Sequence, residues 1–126
     1  MYYQKKSHFT RAKKTTIKGK DYDSKFEASY AMTLEAQLQK GEIIAFTPHK
    51  RIELIVNGYH ICNYYIDFWI QRNDGKIELL ETKGFPTEIW KMKWKLLEAI
   101  YGDDEQYILT VIFQRKGKAP KARKVK

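Results

Sequence analysis

The sequence predicts a single α/β domain in which a mixed central sheet is flanked by helices. The chain has 126 residues, which is enough for one hydrophobic core of modest size. Two segments show the apolar spacing of helices, and five others have the short apolar character of strands. Their order along the chain is helix, four strands, helix and a last strand over residues 107–114, which is typical of a layered α/β domain.

The first helix is predicted to open at Asp23-Ser24 and to end near Gln39, before Gly41. Glu27 stands three residues after Ser24, the spacing of a capping box in which its carboxylate returns to the Ser24 amide. Glu27 also lies at the N-terminal end of the apolar helix face. It could therefore join other acids as a third carboxylate and leave the cap to Asp23, and both interpretations stay open at this point.

The strands between the two helices are predicted from apolar runs and turn signals. Residues 43–47 and 51–56 are expected to form two strands separated by Pro48. Asn57-Gly58 is a strong hairpin signal and leads into a strand over 59–70.

Charged side chains interrupt two apolar strands. Asp67 lies within residues 63–70, and Glu81 and Lys83 lie within residues 77–83. Residues i and i+2 of a strand share a face, so Glu81 and Lys83 point the same way. Apolar neighbours on both faces predict central strands, where acids are costly unless they are paired or bind a metal. The alternative is an exposed edge hairpin with a surface ion pair.

The turn between these strands decides whether Asp67 joins Glu81. A two-residue loop would set Asp67 opposite Thr82, on the wrong face. A three-residue loop over 73–75 sets Asp67 directly opposite Glu81, and Gly75 suits the left-handed position that this loop requires. We therefore expect the three-residue loop.

Two carboxylates beside an ammonium group suit a divalent metal and a phosphodiester. Mg²⁺ prefers oxygen ligands and commonly takes one or two carboxylates together with substrate phosphate. We expect Asp67 and Glu81 to bind Mg²⁺, with Mn²⁺ able to substitute and the Thr82 carbonyl as a possible further ligand. Lys83 would then orient or deprotonate the attacking water. Glu-x-Lys alone is a weak signal, and its position inside an apolar strand is what makes the match more specific.

At these residues the chain resembles the PD-(D/E)xK nuclease superfamily. The motif reads Ile66-Asp67 and then Glu81-Thr82-Lys83, with Ile66 in place of the nominal proline. The resemblance covers roughly residues 22–114 and implies a restriction-endonuclease-like fold with an α-β-β-β-α-β core. It also favours Glu27 as an assisting acid and metal ligand.

The chain is similar in particular to small phage-encoded proteins related to Holliday-junction resolvases. This closer likeness rests on three segments, which are Ser24-Lys25-Phe26-Glu27, Tyr65-Ile66-Asp67-Phe68 and Glu81-Thr82-Lys83-Gly84. It implies a metal-dependent endonuclease that acts on branched DNA, leaves 5′-phosphate ends and works as a homodimer. A nicking or restriction-like nuclease on duplex DNA remains an alternative, as does a basic nucleic-acid-binding protein without catalysis.

Positive charge is concentrated at the two ends of the chain. The net charge is +9, yet residues 1–20 and 115–126 hold seven basic residues each and no acid. We divide the chain into a basic arm over 1–21, a core domain over 22–114 and a basic tail over 115–126. Such ends often bind polyanions, although they can also be solubilising extensions. The basic residues expected to contact DNA from these ends are Lys13, Lys14, Arg123 and Lys124.

The second helix is predicted to run from Thr87 to about Tyr101 and to end at Gly102. Its predicted apolar stripe consists of Ile89, Met92, Leu96, Leu97 and Ile100. Trp90 and Trp94 are interpreted as core or dimer contacts, with base stacking as the alternative. Lys91 and Lys95 lie one turn apart and are candidate phosphate contacts, although ordinary helix solvation explains them equally well.

The remaining features indicate a cytoplasmic protein without a membrane segment. No apolar run is long enough to span a bilayer, and the N-terminus lacks a hydrophobic signal core. The single cysteine, Cys62, excludes an intrachain disulfide and fits a reducing compartment. The three histidines, His8, His49 and His60, are scattered, and we interpret them as structural or surface residues.

Overall fold

The structure is a computed structural model that describes residues 15–17, 20–22, 24–115 and 118–125, with side chains described over 24–114. In chain order its elements are β1 (Thr15–Ile17), β2 (Lys20–Tyr22), α1 (Lys25–Gln39), β3 (Ile43–Val56), β4 (Tyr59–Arg72), β5 (Ile77–Lys83), α2 (Glu88–Tyr101), β6 (Tyr107–Arg115) and β7 (Lys118–Val125). Lys13 and Lys14 lie outside the described residues, and Arg123 and Lys124 are described by their backbone alone.

Five strands form one mixed sheet in the order β3-β4-β5-β6-β7. All neighbours are antiparallel except β5 and β6, which run parallel and are connected through α2. The two helices pack in separate apolar clusters, α1 with one set of sheet residues and α2 with another. The predicted α/β domain with a mixed sheet flanked by helices is therefore confirmed.

Helix α1 begins where the sequence predicts. The Ser24 hydroxyl accepts a hydrogen bond from the Glu27 amide at 3.1 Å, so Ser24 is the N-cap. The helix ends before Gly41, whose φ of 73° is left-handed. Its face against the sheet buries Ala31 and Leu34, and burial of a leucine side chain contributes about 2 kcal/mol.

Strand β3 is continuous, so the prediction of two strands separated by Pro48 was wrong. Pro48 pairs with Phe68 of β4, and β3 has no second neighbour within the described sheet. A proline is tolerated on such an edge strand because its missing amide donor need not serve another strand. The irregularity lies one residue later, at His49, where φ is 55°.

Both predicted hairpin turns are confirmed. Asn57 and Gly58 have φ values of 51° and 81° and connect β3 to β4 as a two-residue turn. Between β4 and β5, the Arg72 amide donates to the Lys76 carbonyl at 2.9 Å, which closes a three-residue loop with Gly75 at φ 85°.

Helix α2 has the predicted limits but a different apolar face. Thr87 caps it by accepting from the Trp90 amide at 3.2 Å. Trp94 and Leu97 are buried against the sheet, whereas Ile89 and Met92 are 70% and 73% exposed, so the predicted stripe was wrong for its first two members. The larger tryptophan rings bury more apolar area and therefore determine which face turns inward.

Both chain ends contain regular structure where an arm and a tail were predicted. β1 pairs with β2 as an antiparallel hairpin. β7 pairs with β6 and extends the sheet by one strand. The lysine-rich sequence of β7 lacks apolar alternation, so only its pairing partner identifies it as a strand. Among the described residues, neither helix is both long and apolar enough to cross a membrane.

Candidate active site

Three neighbouring strands place His49, Asp67 and Glu81 side by side in one row across the sheet. The pairs on either side of it in the β3–β4 ladder set His49 opposite Asp67. Continuing the β4–β5 ladder by one position sets Asp67 opposite Glu81, as the three-residue loop predicted. The row therefore joins residues that are far apart in the sequence.

The strands change faces at this row. Phe46 and Ile52 are an even number of residues apart in β3, yet Phe46 packs with α1 and Ile52 with α2. Ile66 and Phe68 of β4 are divided between the two clusters in the same way. Regular alternation would keep each pair on one face, so the backbone turns over between them, and the left-handed His49 marks the position in β3. The polar row therefore lies where β3 and β4 switch their apolar side chains from one face of the sheet to the other.

Asp67 and Thr82 hold β4 and β5 together beyond the end of their ladder. The Thr82 amide and hydroxyl both donate to Asp67 Oδ2, each at 2.8 Å. In the opposite direction, the Asp67 amide donates to Glu81 Oε1 at 3.4 Å. Side-chain bonds to the backbone therefore replace ladder hydrogen bonds and fix the orientation of both carboxylates.

Lys83 is held beside Glu81 by a charge and an aromatic ring. Its Nζ lies 3.4 Å from Glu81 Oε2 and 4.9 Å from the centroid of the Trp90 ring. Trp90 Nε1 donates to the Tyr64 hydroxyl at 2.9 Å, and Tyr64 hydrogen-bonds to Glu81. Trp90 thus supports the site from the core, and the buried Trp94 stacks on it. The core interpretation is therefore confirmed for Trp94, whereas Trp90 is partly buried, packs against the same cluster and also lines the groove described below.

Glu27 enters the cluster from α1 and contacts the ring of His49. Glu27 Oε1 bonds His49 Nε2, and one donor atom from each of Glu27, His49 and Asp67 lies within 4.8 Å of the others. Glu27 therefore gives its amide to the Ser24 cap and its carboxylate to the cluster. These three residues, called the Glu27–His49–Asp67 triad below, could together hold a cation.

The triad differs from the ligand set expected from the sequence in two ways. His49, interpreted above as structural or surface, belongs to it, while Glu81 lies on the other side of Asp67. A local motif could not identify His49, because its position depends on the β3–β4 register and on a backbone irregularity.

Asp67 and Glu81 carry raised pKa values. Burial, followed by the nearby charge of Asp67, raises the pKa of Glu81 to about 8, although Lys83 acts in the opposite direction. Burial also raises the pKa of Asp67, which the Thr82 hydrogen bonds partly oppose. A cation bound between the carboxyl groups of Asp67 and Glu81 would favour their charged forms. The oxygen-rich donor set with one imidazole fits a divalent ion such as Mg²⁺ or Mn²⁺.

The carboxylates open into a surface groove of about 320 Å³ that Asp67, Glu81 and Lys83 line together with residues of α2. Lys93 lines the same groove. Lys91 and Lys95, the lysines of α2 expected to contact DNA, line a separate groove against β6, and Lys91 pairs with Glu88 at 3.1 Å. The structure therefore places Lys93, rather than its two neighbours, beside the carboxylates.

Comparison with known proteins gives one family. No curated protein and no solved structure matches the chain. Residues 6–115, which include every described residue of the site, match the profile of a family described as a protein of unknown function. The chain therefore belongs to the DUF1064 family.

Proposed function

We propose that this chain is a metal-dependent endonuclease that hydrolyses DNA phosphodiester bonds, built on the restriction-endonuclease-like fold of the PD-(D/E)xK superfamily. The observation that supports this proposal is the convergence of Asp67, Glu81 and Lys83 in one open groove. Each of these side chains is oriented by hydrogen bonds or ion pairs from neighbouring residues. Such preorganisation is what a hydrolytic site requires.

Asp67 and Glu81 are the proposed ligands of Mg²⁺, with Glu27, the Thr82 carbonyl and His49 as further donors. Asp67 accepts both hydrogen bonds from Thr82 through Oδ2. In our proposal its other carboxylate oxygen binds the cation. When bound, the cation supplies charge neutralisation for the phosphoryl oxygens and lowers the pKa of a water ligand. The protein's part is to hold the carboxylates in place for the cation through the hydrogen bonds of Thr82 and of the Asp67 amide.

Lys83 is proposed to act on the attacking water or on the charge of the pentacovalent transition state. Its side chain is 22% exposed, so the ammonium group reaches the groove while Trp90 and Glu81 restrict its position. An ammonium donor placed where negative charge develops lowers the barrier without reorganisation during the reaction.

The substrate is proposed to be branched DNA, cut to leave 5′-phosphate and 3′-hydroxyl ends. This rests on the resemblance to resolvase-related phage proteins, and symmetric cutting of two strands implies a homodimer. The net charge of +9 favours binding to a polyanion. Such an enzyme would act in the cytoplasm, which is the host cytoplasm for a phage-encoded protein.

The test is cleavage of a labelled four-way junction and of a linear duplex with the same sequence. Wild type, Lys83→Ala and Lys76→Ala are compared in Mg²⁺, in Mn²⁺ and in EDTA. Lys76 is the matched control because it is exposed at the opposite end of β5. We expect metal-dependent cutting of the junction that Lys83→Ala abolishes while its DNA binding persists, and that Lys76→Ala retains.

Two other outcomes would favour the alternative functions. Equal cutting of the duplex would indicate a nicking or restriction-like enzyme. Binding without cutting in both metals would overturn the nuclease proposal in favour of a basic DNA-binding protein. One observation favours that second candidate, because every buried side-chain nitrogen or oxygen within residues 24–114 already has a hydrogen-bond partner. It requires that Asp67→Asn and Glu81→Gln leave all activities unchanged.

A further inference from the structure

Large apolar side chains stand exposed around the groove that holds the carboxylates. Tyr65 and Ile89 line this groove and are 60% and 70% exposed. Phe85 is 82% exposed and lies in the short connection between Lys83 and Thr87, which both line the groove. These three residues, Tyr65, Phe85 and Ile89, form what we call the apolar rim.

The core of the protein does not need the apolar rim. Helix α2 attaches to the sheet through Trp90, Trp94 and Leu97, so Ile89 is left over on the groove side. Single exposed apolar residues are ordinary, but several gathered at one concave site indicate a binding surface. The rim therefore suits a ligand with apolar surface.

The charges beside the apolar rim indicate what kind of ligand it is. Lys83 and Lys93 line the same groove as Tyr65 and Ile89. The central part of a protein–protein interface is depleted in lysine. Aromatic side chains next to cations are instead the combination that binds single-stranded nucleic acid, through base stacking and phosphate contacts.

We infer that the groove binds single-stranded DNA, with an unpaired base stacked on Tyr65, further bases against Phe85 and Ile89, and a phosphate on Lys93. This inference rests on the proposed function for the choice of DNA. It adds that the branched substrate presents an unpaired segment to this groove, because bases inside a duplex are already stacked and offer no free face to an aromatic ring.

The spacing along β4 agrees with this arrangement. Tyr65 precedes Asp67 by two residues, which corresponds to about 6.5 Å of strand, and both side chains line the groove. A base stacked on Tyr65 would therefore bring an adjacent phosphodiester to Asp67. The rim positions the strand, and the carboxylates act on it.

The experiment measures binding in EDTA, so that neither metal nor cutting contributes. Fluorescence anisotropy gives the Kd for a labelled single strand and for a strand of equal length whose central nucleotides lack bases. Wild type is compared with Tyr65→Ala, Tyr65→Phe and Tyr59→Ala. Tyr59 is the matched control because it is a 74% exposed tyrosine at the turn between β3 and β4, outside the residues that line the groove.

We expect Tyr65→Ala to bind the normal strand about tenfold more weakly and the abasic strand unchanged. Tyr65→Phe keeps the ring and should bind like wild type, as should Tyr59→Ala. Lys93→Ala should weaken binding to both strands alike. It should also make the slope of log K against log salt shallower by the amount that corresponds to about one phosphate contact.

Three results would overturn the inference. The first is equal binding of the normal and abasic strands by wild type. The second is tighter binding to a duplex, or to RNA, of the same sequence. The third is a solution dimer that Ile89→Lys dissociates while DNA binding is unchanged, because the rim would then be a subunit interface. A protein that binds as expected but never cuts would instead contradict the proposed nuclease alone.

Discussion

Asp67 accepts two hydrogen bonds from Thr82 through a single carboxylate oxygen, Oδ2. The amide and the hydroxyl approach the same atom at 2.8 Å each, so the plane of the carboxylate is fixed relative to β5. A carboxylate held in this way loses little orientational freedom when a cation binds it.

Thr82→Val should therefore weaken metal binding without disrupting the fold. Valine has nearly the same shape and keeps the amide bond to Asp67 but removes the hydroxyl bond. Loss of such a supporting contact lowers metal affinity about tenfold, and loss of one hydrogen bond lowers the free energy of unfolding by about 1 kcal/mol. Calorimetric titration with Mn²⁺ measures the first effect and thermal denaturation the second. Thr82→Ser, which keeps the hydroxyl, should bind Mn²⁺ like wild type, and equal affinities in all three proteins would contradict the role of Thr82.

The raised pKa of Glu81 predicts how stability depends on pH in EDTA. Its pKa is about 8 in the folded protein and about 4.3 in an unfolded chain, so the folded state binds the proton more tightly. The resulting stabilisation is complete below the unfolded value and is lost as pH rises toward 8. Each pKa unit corresponds to about 1.4 kcal/mol, so we expect a loss of a few kcal/mol across this range.

Glu81→Gln isolates this effect, because the amide resembles the protonated carboxyl and does not titrate. We expect the melting temperature of wild type, relative to Glu81→Gln, to fall between pH 5 and pH 8 in EDTA, and Mn²⁺ to restore it most at the higher pH. Glu53→Gln is the control, since Glu53 is exposed in β3. Parallel pH profiles for wild type and Glu81→Gln would show that Glu81 titrates normally.

The sequence predicts those parts of the site that depend on local chemistry. Gly75 suits the left-handed position of a three-residue loop, and that loop length sets Asp67 opposite Glu81. The helix limits follow from Ser24 and Thr87 for the same reason.

The missed features depend on contacts between distant segments. His49 reaches the site because β3 passes Pro48 without a break and turns over at a residue with positive φ. Helix α2 has two possible apolar faces, and the face that carries the tryptophans packs against the sheet. Ile89 is on the other face and is therefore exposed. Neither outcome has a signature within a short window of sequence.

Gly75→Ala tests the left-handed conformation of the loop that sets the register of β4 and β5. The φ of 85° at Gly75 is costly for a residue with a Cβ, and we expect a loss of about 1 kcal/mol in the free energy of unfolding. Gly84→Ala is the control, because a Cβ there would meet only the Gln114 side chain at an ordinary 3.5 Å. Urea denaturation of both variants measures the difference. A Gly75→Ala protein as stable as Gly84→Ala would show that the loop adopts another conformation.

His49→Asn should change the preference of the site among metals. Asparagine tolerates a left-handed backbone, so the substitution removes the imidazole from the triad while keeping the φ of 55° accessible. Imidazole suits transition metals better than Mg²⁺. We therefore expect affinity for Mn²⁺ to fall about tenfold, with a smaller change for Mg²⁺, as measured by calorimetric titration of the two metals.

The matched control for this prediction is His60→Asn. His60 is exposed near the turn between β3 and β4, where it bonds Asn63 at 2.9 Å, and it is not part of the triad. Its substitution should leave both metal affinities unchanged. If His49→Asn also binds Mn²⁺ like wild type, His49 is not a ligand and serves instead to orient Glu27 through their direct contact. If the variant instead binds Mg²⁺ and Mn²⁺ more weakly in equal proportion, Glu27 is a ligand that His49 orients, so the ratio of the two affinities separates a coordinating imidazole from an orienting one.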